Sequence, residues 1–176
     1  AKNPDAYLPD VAMTLNNLAV LQSDNNDFAG AQADYQEALS IYRTLAAKNP
    51  DAYLPYVATT LNNLALLQAD NNDHANALKN YNEALTIRRQ LAAKNPDAYL
   101  PDVAMTLINL GWFYHDSPQA DKQKSLECVQ EALPILSPLV AKLPYTQQYV
   151  ASAFTLLHAW NIEPEAFIKT MNAGKL

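Results

Sequence analysis

The sequence is poor in the residues that local chemistry is usually built from. One cysteine, Cys128, rules out an internal disulfide framework and fits a reducing compartment. Three glycines in 176 residues leave no Gly-rich phosphate loop and no nucleophile elbow. No apolar run approaches the roughly 20 residues needed to span a bilayer. Lys and Arg number 12 against 18 Asp and Glu, a net charge of −6, which argues against a broad nucleic-acid footprint. The charged-then-apolar design of a signal peptide is missing at the N-terminus, where the chain opens inside a repeat and so reads as a fragment of a longer protein.

What is present is a period. "AKNPDAYLP" occupies residues 1–9, 47–55 and 93–101, and a degraded form, "AKLPYTQQY", occupies 141–149. Residues 1–46 and 47–92 align without gaps and agree at about 33 of 46 positions. The third copy, 93–140, holds register to Leu110 and regains it two residues late. The expected layout is repeat 1 (1–46), repeat 2 (47–92), a divergent repeat 3 (93–140) and a degenerate repeat or cap (141–176), all in one domain.

Each unit holds two helical stripes. Val57, Leu61, Leu64, Ala65 and Gln68 form the first, and Ala77, Tyr81, Ala84, Leu85, Ile87 and Leu91 the second. Asn71, Asn72 and Asp73 between them suit a tight turn and an N-cap. Strand-like alternation is absent, so the unit is a helical hairpin. One hairpin cannot bury its own stripe, and neighbours must stack. The "YLP" prolines place the starts of the first helices near Pro9, Pro55 and Pro101, while the "KNP" prolines end the second helices near Lys48 and Lys94. Asp-Ala-Tyr-Leu between the two prolines then reads as a connector in which Tyr53 and Tyr99 pack over the hairpin junction or contact a ligand.

The segment "LNNLALLQADNNDHANALKNYNEALTI" (61–87) resembles a tetratricopeptide repeat, with Leu61, Leu64, Ala65, Asn72, Ala77, Tyr81 and Ala84 at the signature places. "VATTLNNLA" (57–65) and the longer unit look most like the kinesin-light-chain-type subgroup. The resemblance implies an all-α, right-handed superhelical solenoid of antiparallel hairpins. It departs in the third copy, where Ser125 and Val129 stand for the expected Ala and Tyr.

The resemblance also implies a concave groove lined by the first helices. Its residues would be Met13, Asn16, Asn17 and Val20, then Thr59, Asn62, Asn63 and Leu66, then Met105, Ile108, Asn109 and Trp112. Asn17, Asn63 and Asn109 form a ladder of amides, each able to pair with a peptide backbone or to brace a neighbouring helix. Trp112 is either a binding anchor or a packing partner of Phe154, Leu157 and Trp160. Asp24, Asp70 and Asp116 near the first-helix ends are solvated turn residues or a hint of a basic partner. Groove Lys and Arg of the kind that meet acidic chaperone tails or acidic cargo motifs are missing.

Catalytic chemistry is not legible. His74, His115 and His158 stand apart in the sequence, outside any zinc spacing, and "SDNNDF" lacks the Gly and terminal Glu of a calcium loop. The expectation is a cytoplasmic non-enzyme without cofactor or metal, whose partner is a protein or peptide rather than nucleic acid or membrane. A structural or sensor array with no peptide ligand is the alternative. The tail, with Glu163 and Glu165 near its start and Gly174 past its end, reads as a capping helix. At the other end Val11, Leu15 and Leu18 would stand exposed, inviting end-to-end association or fraying.

Overall fold

The computed structural model describes residues 7–174, and among them the secondary structure is helical, without strands. Two compact units divide at Lys94 and Asn95. The first contains α1 (Leu8–Asp24), α2 (Phe28–Lys48), α3 (Pro50–Asp70) and α4 (His74–Lys94). The second contains α5 (Pro96–Asp116), α6 (Lys122–Leu136), a 3-10 turn (Pro144–Thr146), α7 (Gln147–Ala159) and α8 (Pro164–Asn172).

In the first unit α1 pairs with α2 and α3 with α4, and α2 packs on α3 to stack the two hairpins. The apolar stripes become the core: Tyr35, Leu39, Tyr42 and Leu45 of α2 and Val57, Leu61 and Leu64 of α3 are all buried. Burying a side chain such as Leu61 contributes about 1.5–3 kcal/mol. Between α2 and α3 the Tyr42 and Tyr56 rings stack with centroids 5.2 Å apart.

The hairpin turns follow the polar cluster. Asn26 and Asn72 adopt positive φ, 61° and 62°, a conformation Asn tolerates better than other side-chain-bearing residues. The next residue caps the following helix: Asp27 Oδ1 accepts from the Gly30 N–H at 3.0 Å, and Asp73 Oδ1 from that of Asn76 at 3.4 Å.

The second helices end at Lys48 and Lys94, as the "KNP" prolines require. The "YLP" expectation holds at Pro9, beside the start of α1 at Leu8, and needs correction in the next two copies. α3 and α5 begin at Pro50 and Pro96, and Pro55 and Pro101 lie inside them. Asp-Ala-Tyr-Leu is therefore the first turn of a helix, and the linker shrinks to one residue. Asn49 closes α2 by donating its N–H to Leu45 O at 2.9 Å, and opens α3 by accepting from Ala52 N–H at 3.4 Å. Pro at the first helical position has no N–H to leave unpaired, so the earlier proline captures the start. The later one removes a single helical hydrogen bond, near the exposed end. In the first copy, the "KNP" proline lies outside the described residues.

In the second unit α5 pairs with α6, and α7 packs on both. α6 has 15 residues where α2 and α4 have 21, so the regular spacing fails here. The final helix α8 opens with Glu163 at the N-cap and Glu165 in its first turn, and buries Phe167.

Candidate functional site

Met13, Asn17 and Val20 fall at i, i+4 and i+7 on α1, one face of a helix, and Thr59, Asn63 and Leu66 repeat that spacing on α3. A flanking stripe of each helix is held in the hairpin: Ala12 and Ala19 on α1, Ala58 and Ala65 on α3, all wholly buried. This leaves Met13, Asn17, Val20, Thr59 and Leu66 exposed and Asn63 half-buried. Leu66 is 49 % exposed, a large cost for an aliphatic side chain with no covering neighbour.

The fourth position after the stripe opener behaves differently. Asn62 is 3 % exposed and Ile108 2 %, so neither side chain is open to a ligand. Asn16 is half-buried and accepts a hydrogen bond from Thr60 Oγ1 at 3.2 Å, tying α1 to α3. These positions lie where the face turns towards neighbouring helices. In the first unit the accessible strip is thus narrower than the pattern implied, and its polar members are Asn17, Asn63 and Thr59. Thr59 Oγ1 also lies 3.4 Å from the Nη2 donor of Arg88, a guanidinium buried on α4.

In the second unit Met105, Asn109 and Trp112 are each half-buried on α5. Trp112 donates its indole N–H to Ser152 Oγ of α7 at 2.9 Å, which commits the ring to the cap. His115, isolated in the sequence, sits edge-on to both Trp112 and Trp160, with ring centroids 5.5 and 4.7 Å away, and its Nδ1 is 2.6 Å from Asp116 Oδ1. Trp160 donates its own indole N–H to Ser125 Oγ at 2.8 Å, and that hydroxyl donates to the carbonyl of Gly111 at 2.8 Å. Ser125 therefore departs from the repeat's usual Ala for a reason the sequence did not reveal. It links α5, α6 and the end of α7. Lys122 adds a hydrogen bond to the Trp160 carbonyl at 3.1 Å.

Gly111 has the matching explanation. It stands where the first two copies have Ala19 and Ala65, and a Cβ there would lie 2.9 Å from Leu156 Cδ2. The signal was visible as a glycine inside a helical stripe, but only the position of α7 gives it meaning. Sequence reasoning also missed an apolar cleft of about 450 Å³ between the end of α6, α7 and α8, lined by Leu133, Phe154, Ile168 and Met171 among others.

Asp24 and Asp70 have local effects. Burial first, and the Asp24 charge second, push the Tyr35 phenol up to about 12, and burial with Asp70 raises Tyr81 in the same direction. Cys128, the single cysteine, is buried. No group of three His, Cys, Asp or Glu able to hold a metal ion occurs among the described residues, and no described helix is long and apolar enough to cross a membrane.

Family models described as tetratricopeptide repeat match residues 11–51 and 56–137, two adjoining stretches that follow the hairpins. No curated protein matches the chain.

Proposed function

Because this chain is a tetratricopeptide-repeat protein, a class of repeat that mediates protein–protein interaction, we propose that it is a scaffold gripping an extended polypeptide segment along α1 and α3. The observation that carries this reading is the strip of Met13, Asn17, Val20, Thr59 and Leu66, exposed at the same repeat positions of α1 and α3. Apolar side chains there supply area, and the amides of Asn17 and Asn63 supply paired donors and acceptors for a peptide backbone of any sequence. On α5, Met105 and Asn109 offer the same repeat positions in the second unit. The role is binding rather than catalysis and needs no cofactor. A cytoplasmic setting agrees with a chain that carries a single cysteine. Within the family, the 46-residue unit and "VATTLNNLA" support kinesin-light-chain-type repeats, although a groove without Lys or Arg disfavours that subgroup's acidic cargo.

A peptide-array screen repeated with Asn17, Asn63 and Asn109 changed to Ala tests the reading. Retained peptides that are lost on the triple variant support it. A second reading, a spacer or sensor array without its own ligand, is favoured by the Trp112–Ser152 hydrogen bond, which turns the strongest anchor residue towards the cap. An array that retains nothing would select that reading.

A further inference from the structure

At the start of α1 and α3, next to Met13, the first unit holds a cavity of about 300 Å³ walled by Tyr42, Tyr53 and Tyr56, with Asp10 and Met13 contributed by α1. The stacked pair Tyr42 and Tyr56 is nearly parallel, at 16°, while Tyr53 is inclined at 43° to Tyr56 with centroids 6.4 Å apart. Tyr56 is 49 % exposed, so an aromatic surface faces solvent at the cavity. The Asp10 carboxylate carries no hydrogen bond or ion pair among the described residues.

The repeat makes this place singular. Repeats 1 and 2 are near-duplicates, yet Asp10, Met13 and Tyr42 all lie at positions where they differ, opposite Tyr56, Thr59 and Arg88. One register on, the residues matching the stacked tyrosines are Arg88 and Asp102. The tyrosine pair is confined to one junction, and the substitutions that create it converge on one cavity.

Aromatic faces carry negative quadrupole charge and attract cations, and a neighbouring carboxylate adds to that attraction. A neutral or acidic side chain gains neither. A guanidinium is planar, stacks on tyrosine and presents a fork of N–H donors to a carboxylate, whereas an ammonium is a compact and more strongly hydrated charge. We propose that this cavity is a specificity pocket for a single arginine side chain of the bound polypeptide, held over the tyrosine faces and paired with Asp10. The assignment rests on the groove reading for the remainder of the partner, but the pocket has its own test.

That test titrates N-acetyl-arginine amide, N-acetyl-citrulline amide and N-acetyl-lysine amide into the isotope-labelled chain and follows backbone amide shifts. The arginine probe should give saturable shifts centred on residues 10–13 and 52–56. Citrulline, which keeps the shape and loses the charge, should bind about five-fold more weakly or worse, and lysine should fall between them. Asp10→Asn, which keeps the tyrosine faces and removes the paired charge, should weaken arginine about three-fold or more and lower the melting temperature only slightly, through the lost acid in the first turn of α1. Absence of saturable shifts, equal binding of arginine and citrulline, lysine binding at least as tightly as arginine, or an arginine affinity unchanged by Asp10→Asn would overturn the assignment. Failure of the arginine probe alongside peptides retained in the array removes the pocket and leaves the groove reading standing. An empty array would remove the groove reading instead.

Discussion

Ser125 and Tyr42 show how single atoms set the behaviour of each unit. Ser125→Ala removes the acceptor for the Trp160 indole and the donor to the Gly111 carbonyl, and the cost should be about 1–2 kcal/mol of unfolding free energy. Urea denaturation followed by tryptophan fluorescence checks it, since both tryptophans lie in the second unit. An unchanged midpoint would mean that water replaces both bonds. Tyr42 predicts an alkaline limit. Burial, and then the neighbouring Tyr56, push its phenol up to about 12, and Tyr35 is raised to a similar value. An unfolded phenol ionises near 10, so the folded state holds these protons more tightly. Their stabilising contribution is full below pH 10 and is lost as pH rises through 12. The melting temperature should therefore fall steeply between pH 10 and 12, and less steeply in Tyr35→Phe. Equal slopes in the two proteins would contradict the assignment.

At the scale of elements, the one-residue linker is the feature that most alters the sequence reading. Asn49 ends one helix and begins the next, so Asn49→Ala should cost about 1 kcal/mol through loss of the cap. At the hairpin turn, Asn72→Val should cost more than Asn72→Gly, by about 1–2 kcal/mol, because a β-branched residue resists φ near 62°. Thermal melts of the three variants rank these effects. Stripe spacing and turn chemistry made the hairpins legible, since Leu61, Leu64 and Tyr81 repeat at helical intervals whatever their neighbours do. Helix starts were not legible in the same way. Two prolines five residues apart each suit a first turn, and local preference alone does not choose between them. For the groove, the family resemblance implied that Asn17, Asn62 and Asn63 lie on the inner half of their helices. Whether each is open depends on the next helix, and Asn62 is closed. Gly111 and Ser125 answer to α7 and its end, at Leu156 and Trp160, 45 and 35 residues further along the sequence.

For the whole molecule, duplication provides an internal control. Val11 and Leu18 of α1 are each 43 % exposed, while their equivalents Val57 and Leu64 on α3, where α2 packs, are 2 % and 3 % exposed. A face whose twin is covered by a second-helix stripe should attract one in trans. Concentration-dependent association is expected in light scattering, and Val11→Lys with Leu18→Lys should abolish it while leaving the helical content intact. A strict monomer at high concentration would show that this face tolerates water. The central claim is that α1 and α3 present a polypeptide-binding strip. Its most direct test is amide-shift mapping of the strongest array-selected peptide on the labelled chain. The account predicts shifts concentrated at 13–20 and 59–66 and weakened at least ten-fold in affinity by Asn17→Ala with Asn63→Ala. Shifts confined to α2 and α4, or to the cap helices α7 and α8, would contradict it.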